Sequence, residues 1–332
     1  MITRRHALAL AALAPFAPAI PSAAHKVRGM TISCPMDGVE WGTDVMLPTL
    51  RQLAEWGINW VAIHPYAGIR TDGAVFEWRR LAFDRPPAWI VRPIREAHAL
   101  GLRVLIKPHL GYWGSGFSWR GDITFADETA WRRFFADYTR WITKVADASS
   151  GADAFVVGTE LDRTLHREAD WRRVIGTLRA RFGGPLTYAA NWPEYARVPF
   201  WDALDIIGVQ AYFPLIGPGE PPTEANLAAG WHKHLVPLHA FAARLDRSVV
   251  FTELGYNEWA HTAEQPWAYN KGGADAQGVQ SRALASALAA IGVDRRVVGA
   301  FLWKCFPKGM WRPEDFDMTA PNMVEVIRRY WG

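Results

Sequence analysis

The chain has 332 residues, of which 50% are hydrophobic and 21% charged, and its formal net charge is +4. This composition can fill a large apolar core, and it excludes an intrinsically disordered protein. The 18 tryptophans supply aromatic faces that pack equally well inside a core or against flat, partly apolar ligands.

The first 24 residues have the pattern of a cleavable export signal. Arg4 and Arg5 precede an apolar, alanine-rich stretch, and small residues follow at 22–24. Such a segment is typical of a signal peptide, and the paired arginines resemble the twin-arginine type. We therefore expect a signal at 1–24, one folded domain at 25–332, and a protein that is periplasmic or secreted.

Removal of this signal would change the charge balance. Without Arg4 and Arg5 the count of basic residues falls from 37 to 35, against 33 acidic ones. No basic stripe then remains to favour a nucleic-acid partner. The apolar stretch is short and is interrupted by Pro15 and Pro18, so we expect no membrane-spanning segment in the mature chain.

From residue 28 onward, short apolar runs alternate with amphipathic stretches. The runs predict eight strands, at 30–34, 60–64, 104–108, 154–158, 186–190, 206–211, 249–252 and 298–303. The amphipathic stretches predict helices at 45–56, 87–100, 129–148, 171–182, 231–245 and 277–291. Strands covered by helices in this order favour an α/β protein with a single (β/α)8 barrel. A doubly wound dinucleotide-binding fold is disfavoured, because no glycine-rich motif follows the first strand.

The only two cysteines are Cys34 and Cys305, which lie in the first and last predicted strands. These strands are neighbours in a closed barrel. We expect buried free thiols, because a disulfide between adjacent strands is strained.

Two glutamates end near-identical apolar runs. Glu160 lies in the run 154–161 (AFVVGTEL), and Glu253 lies in the run 249–256 (VVFTELGY). Each should emerge at the carboxyl end of a barrel strand, where catalytic groups of such barrels collect. Two carboxyl groups that converge there are the minimum equipment for breaking a glycosidic bond. Residue chemistry alone does not decide which of them attacks and which donates the proton.

Three long loops follow predicted strands and should surround this end of the barrel. They cover residues 111–127, 214–230 and 257–276. The tryptophans in them are costly to expose without a ligand or a neighbour; they are Trp113, Trp119, Trp259 and Trp267.

Several short motifs, taken in order, resemble glycoside hydrolase family 113. They are VGTEL at 157–161, FTELGY at 251–256, IKPH at 106–109, AYFPL at 211–215, QPW at 265–267 and GAFLWK at 299–304. The resemblance covers nearly the whole mature chain. It implies a retaining glycosidase of the clan A barrels, with β-1,4-mannan or glucomannan as substrate. It also implies that Glu160 on the fourth strand is the acid/base and that Glu253 on the seventh strand is the nucleophile.

Other residues at the predicted barrel mouth are candidates for substrate binding. Tyr212 on the sixth strand is placed to donate a hydrogen bond to the nucleophile, and Trp303 at the end of the eighth strand to stack on the sugar. The remaining candidates are Lys107, His109, His64, Asn191, Trp113 and Trp192. We expect an oligosaccharide or polysaccharide ligand, no metal and no cofactor.

Other functions remain open from the residues alone. A zinc hydrolase would use His64 and His109, but the first predicted strand lacks the paired histidines of such barrels. A phosphate-binding barrel would need glycine-rich turns after the seventh and eighth strands, and this sequence lacks them. The remaining alternatives are a non-catalytic carbohydrate-binding or polysaccharide-assembly protein, and a relative that acts on β-glucan or transfers sugars.

The paired arginines generate a prediction about export. Replacing Arg4 and Arg5 with lysine should leave uncleaved precursor in the cytoplasm, because the twin-arginine route reads the arginines themselves. Cell fractionation followed by mass measurement of the protein would check this. Normal export of the double variant would point to the general secretory route instead.

Overall fold

The computed structural model describes residues 26–35, 37–78, 83, 86–310, 312 and 316–332. The predicted signal at 1–24 lies outside the described residues, so its assignment stays a prediction.

Strands occur in chain order throughout the described residues. They are β1 (Val27–Ile32), β2 (Trp60–Ile63), β3 (Tyr66–Ile69), β4 (Val75–Phe76), β5 (Arg103–Ile106), β6 (His109–Gly111), β7 (Ala154–Thr159), β8 (Leu186–Asn191), β9 (Ile207–Gln210), β10 (Val249–Leu254) and β11 (Val297–Cys305). Eight of them form a closed parallel barrel in the order β1-β11-β10-β9-β8-β7-β5-β2. Each of the eight overlaps a predicted strand, so the predicted (β/α)8 barrel is confirmed.

Helices cover the outside of the barrel. They are α1 (Met46–Glu55), α2 (Ala88–Ala99), α3 (Glu128–Ala148), α4 (Glu168–Arg179), α5 (Glu224–Arg244), α6 (Ala276–Val293) and α7 (Pro321–Trp331). Strands β8 and β9 are joined by two short 3-10 turns, Tyr195–Arg197 and Trp201–Ala203, in place of an α-helix.

The predicted loop at 214–230 is wrong in its second half, because α5 begins at Glu224. The Thr223 side chain accepts a hydrogen bond from the Asn226 amide and caps the helix. Thr223 could have indicated the start of this helix, but the two prolines immediately before it are typical of a loop.

A second, small sheet was not predicted. Its order is β4-β3-β6, and β3 and β6 follow barrel strands β2 and β5 directly. This sheet extends one side of the barrel mouth, and His109 begins its strand β6.

The barrel interior is apolar only towards the amino ends of the strands. A separate cluster there takes residues from seven of the eight strands; it consists of Val27, Ala62, Leu105, Val156, Ala189, Val250, Val298 and Phe301. Further along the strands the buried side chains become polar, as at His64, Lys107 and Glu253. The apolar layer fills the interior of the barrel, and the buried polar side chains follow it towards the carboxyl ends of the strands.

Cys34 and Cys305 are both free and buried, as expected. Burial raises the pKa of each thiol well above its usual range, so neither is a reactive nucleophile. Within the described part of the chain, every helix is too short or too polar to cross a bilayer.

Closure of the barrel depends on a glycine where β11 meets β1. Gly299 has φ +142°, and a Cβ there would lie 2.0 Å from the Val27 carbonyl oxygen. We expect Gly299→Ala to lower the free energy of unfolding by more than about 1 kcal/mol, since both backbone conformation and space forbid the methyl group. Denaturant unfolding followed by circular dichroism would measure the loss.

Gly176 provides the matched control. It is exposed in α4, and a Cβ there would meet nothing within 4 Å beyond the adjoining backbone of its own helix. Gly176→Ala should therefore leave stability unchanged or raise it by up to about 1 kcal/mol. Equal effects of the two substitutions would contradict this account of barrel closure.

Candidate active site

Glu160 and Glu253 line one cavity of about 430 Å³ at the carboxyl end of the barrel. Glu253 lies in β10 and pairs with Gln210 of β9. Glu160 follows β7 directly and has φ +51°, a conformation that non-glycine residues rarely adopt. Such local strain is tolerated where function requires a particular side-chain direction.

Aromatic side chains make up much of the remaining wall. The full lining is Tyr112, Trp119, Arg120, Glu160, Asn191, Trp192, Tyr212, Glu253, Trp267, Tyr269, Trp303 and Phe316. Six of these residues were predicted as catalytic or substrate-binding: Glu160, Glu253, Tyr212, Trp303, Asn191 and Trp192.

Glu253 is held by two buried donors. Tyr212 donates from its hydroxyl to Oε2 at 2.7 Å, and the Lys107 ammonium donates to Oε1. Lys107 also donates to the carbonyl oxygen of Thr252 at 3.1 Å. Burial and the negative charge of Glu253 raise the pKa of Tyr212 well above its ordinary value, so its hydroxyl stays a donor. A carboxylate with both oxygens occupied in this way is held in a fixed direction.

Lys107 is fully buried and does not line the cavity. Burial lowers its pKa to about 8, although the neighbouring Glu253 opposes that shift. Its Nζ also lies 4.6 Å from the centre of the Trp303 ring, which stabilises the cation. Lys107 is therefore charged at neutral pH, and its position favours a role in fixing Glu253 over direct contact with sugar.

Glu160 has a different environment. The indole Nε1 of Trp119 donates to Glu160 Oε2 at 3.3 Å, and Arg120 Nη1 lies 3.8 Å from the same oxygen. Burial raises the pKa of Glu160, the charge of Arg120 opposes the shift, and the charge of Glu253 adds to it. A carboxyl group in this environment retains its proton to higher pH than an exposed glutamate.

His109 and His64 are buried beneath the cavity. Arg120 donates to His109 Nδ1 at 2.8 Å, so the neutral ring carries its proton on Nε2, which lies 3.8 Å from Glu253 Oε1. Burial and the nearby cations lower the pKa of both imidazoles well below the usual value. His64 stacks on His109 at 5.0 Å and contacts Ser33 Oγ at 3.1 Å. Neither ring is part of the cavity lining.

Trp113 also lies outside the cavity. Its side chain is 60% exposed and stacks on Tyr112, with ring centres 5.4 Å apart. Because Tyr112 lines the cavity, Trp113 continues that wall outward. Its predicted role as a sugar platform stays a prediction, as do the binding roles of Asn191 and Trp192.

The cavity residues that the sequence did not predict as site residues come from loops. The sequence marks Trp119 and Trp267 only as tryptophans that are costly to expose to solvent. In the structure, Trp267 stacks on Trp192 with ring centres 6.2 Å apart. Tyr112, Arg120 and Tyr269 lie in the same predicted loops but carry no distinguishing pattern. Phe316 follows the last strand and packs against Tyr212.

The side chains that commonly bind metals are scattered in the part of the chain that the structure describes. No group of three or more histidine, cysteine, aspartate or glutamate side chains there is arranged to hold a metal ion.

An oriented carboxylate and a carboxyl group with a raised pKa, facing one aromatic cavity, are the equipment of a glycosidase. The model of the family described as Glycoside Hydrolase Family 113 matches residues 30–317. The chain belongs to this family. It is therefore a glycosidase, and the resemblance seen in the motifs is confirmed.

Solved structures agree with this assignment. The family 113 β-mannanase AaManA from Alicyclobacillus acidocaldarius, solved in complex with ManMIm, is 26% identical, with a TM-score of 0.80 over 92% of this chain and 97% of that one. A family 113 β-1,4-mannanase, 22% identical, has the same fold with a TM-score of 0.80 over 92% and 99%.

A more distant structure shares the barrel alone. The family 5 mannosidase from Rhizomucor miehei is 14% identical, with a TM-score of 0.57 over 92% of each chain. Among curated proteins, no sequence match was found.

Proposed function

We propose that this family 113 enzyme is a retaining glycosidase that cleaves β-1,4-linked mannan or glucomannan. In this proposal Glu253 is the nucleophile and Glu160 is the general acid and base. The observation that carries the assignment is the asymmetry between the two carboxyl groups, because each environment suits a different role.

Glu253 suits the attacking role. Lys107 and Tyr212 each donate to one of its oxygens, which holds the carboxylate in a fixed direction. Glu160 suits the proton-donating role. Burial and the charge of Glu253 raise its pKa, so a proton remains available near neutrality.

The reaction then has two steps. In the first, an oxygen of Glu253 forms a bond to the anomeric carbon as the bond to the leaving oxygen breaks, and Glu160 gives its proton to that oxygen. In the second, Glu160 takes a proton from water as the water oxygen attacks the anomeric carbon, and the electron pair of the ester bond returns to Glu253.

The substrate class rests on the relatives and on the cavity. Two family 113 relatives are described as β-mannanases. The cavity wall carries indole rings at Trp192, Trp267 and Trp303, and flat rings of this kind pack against the apolar faces of sugars. The signal expected at 1–24 would deliver the enzyme to polysaccharide outside the cytoplasm.

A non-catalytic carbohydrate-binding barrel is the alternative of a different class. Binding alone does not need a buried cation behind one carboxylate or a raised pKa on the other. The pairing of Lys107 with Glu253 therefore favours catalysis over binding.

Two alanine variants test the assignment. Glu253→Ala should lose essentially all hydrolysis of mannan, since no group remains to form the glycosyl-enzyme intermediate. Glu160→Ala should be slowed on mannan by about 10²- to 10⁴-fold, but in the first step it should still release the aryl group of an activated aryl β-mannoside, because that leaving group needs no proton. Added azide should then give a β-azide with Glu160→Ala and an α-azide with Glu253→Ala, measured by NMR of the products.

Glu325→Ala, which removes an exposed carboxylate of α7, is the matched control and should retain wild-type activity. The opposite stereochemistry of the azide products would mean that the two roles are exchanged. Full activity of either alanine variant would remove this mechanism. Faster turnover of cellulose than of mannan would overturn the substrate class alone.

A further inference from the structure

One buried cation in the cavity wall contacts the proposed acid/base rather than the nucleophile. Arg120 begins a single 3-10 turn, Arg120–Asp122, in the long loop that follows β6. Its Nη1 lies 3.8 Å from Glu160 Oε2 and donates to His109 Nδ1 at 2.8 Å. The guanidinium therefore joins Glu160 to the group of side chains behind Glu253.

The preceding residue reaches the same carboxyl oxygen. Trp119 donates from Nε1 to Glu160 Oε2 at 3.3 Å. The residue after Arg120, Gly121, allows this arrangement, because a Cβ there would lie 1.9 Å from the Trp119 ring. Two consecutive side chains of one loop thus contact one oxygen of the acid/base, and the loop has no space for a side chain at the third position.

We propose that Arg120 and Trp119 are a positioning pair that stabilises the ionised form of Glu160 between the two chemical steps. The proposal rests on the assignment of Glu160 as acid and base. Glu160 gives up its proton to the leaving oxygen in the first step and must stay ionised until it takes a proton from water in the second. A positive charge and an N–H donor on one oxygen favour that ionised state.

The surrounding charges make Arg120 the main cation acting on Glu160. The neighbouring ionisable groups are Lys107 after β5, His109 on β6, Asp162 after β7 and Glu253 on β10. Lys107 is hydrogen-bonded to Glu253, and His109 is neutral because burial and Arg120 lower its pKa. Burial and Glu160 raise the pKa of Asp162 to about 7, so its own charge is small below neutrality.

The charge of Glu253 changes during the reaction, whereas that of Arg120 does not. While Glu253 is a free carboxylate it repels negative charge on Glu160. Once Glu253 is esterified that repulsion disappears, and Arg120 remains. In the step where Glu160 must be a base, Arg120 then offsets the effect of burial without the added repulsion of Glu253.

Arg120→Met, which removes the charge, should move two limbs of the pH–rate profiles to higher pH. The basic limb of kcat/KM on mannan reports loss of the proton from Glu160 in the free enzyme. The acid limb of kcat on a dinitrophenyl β-mannoside reports the ionisation of Glu160 in the intermediate, because this leaving group needs no proton. At the acid end, kcat on the aryl substrate should fall by about tenfold or more. This is less than the rate enhancement of about 10²- to 10⁴-fold that a positioned base supplies, because Glu160 is still present. KM should fall with it, since the intermediate accumulates.

Two further variants separate charge from packing. Arg120→Lys keeps the charge and should restore both limbs towards their wild-type positions. Trp119→Phe keeps the ring beside Gly121 but loses the N–H donor, and it should move both limbs in the same direction by a smaller amount. The control is Arg163→Met, on an arginine side chain that is 64% exposed, and it should move neither limb.

A double-mutant cycle tests whether Arg120 acts through Glu160. When Arg120→Met is added to Glu160→Ala, the azide-rescued rate should change by less than about twofold, because the partner of the arginine is already absent. An undiminished effect in that background, or unmoved limbs in folded Arg120→Met and Trp119→Phe, would overturn the proposal. If Arg120→Met does not fold, the same two limbs of the pH–rate profiles are measured for Trp119→Phe and Arg120→Lys, and these variants decide the outcome. Full activity of Glu160→Ala would instead overturn the proposed function itself.

Discussion

The site depends on a buried ion pair between Lys107 and Glu253. Neither charge is stable alone in the barrel mouth, because removing one partner of a buried pair costs about 3–5 kcal/mol. The pair is possible because β5 and β10 face each other across one barrel, and Tyr212 occupies the second carboxylate oxygen. Burial raises the pKa of Glu160, and the charge of Glu253 across the cavity adds to that shift. The fixed carboxylate therefore contributes to both roles.

The fold and the two carboxyl groups could be predicted from the sequence for a physical reason. Buried parallel strands appear as short apolar, β-branched runs, and the two Thr-Glu-Leu endings mark where such runs leave the core. Glu160 and Glu253 accordingly line one cavity. Tyr212 could be placed beside Glu253 because β9 and β10 are neighbours in any barrel of this order.

Other features could not be predicted, because they depend on how loops fold over the barrel. Arg120 and Trp119 lie in a loop whose composition gives no sign that two adjacent side chains turn to Glu160. Lys107 was expected to bind sugar, but the Trp303 ring lies over its ammonium. Trp303 is in the last strand and far from Lys107 in the sequence, so this contact could not be predicted. The small sheet of β3, β4 and β6 was also hidden, since its strands are two to four residues long.

Chemical trapping of the intermediate tests the central claim most directly. A fluorinated β-mannosyl fluoride forms the glycosyl-enzyme readily but slows its hydrolysis, so the labelled protein can be digested and its peptides sequenced by mass spectrometry. This account predicts a single sugar ester on Glu253. An ester on Glu160, or rapid turnover with α-configured product and no ester, would contradict it.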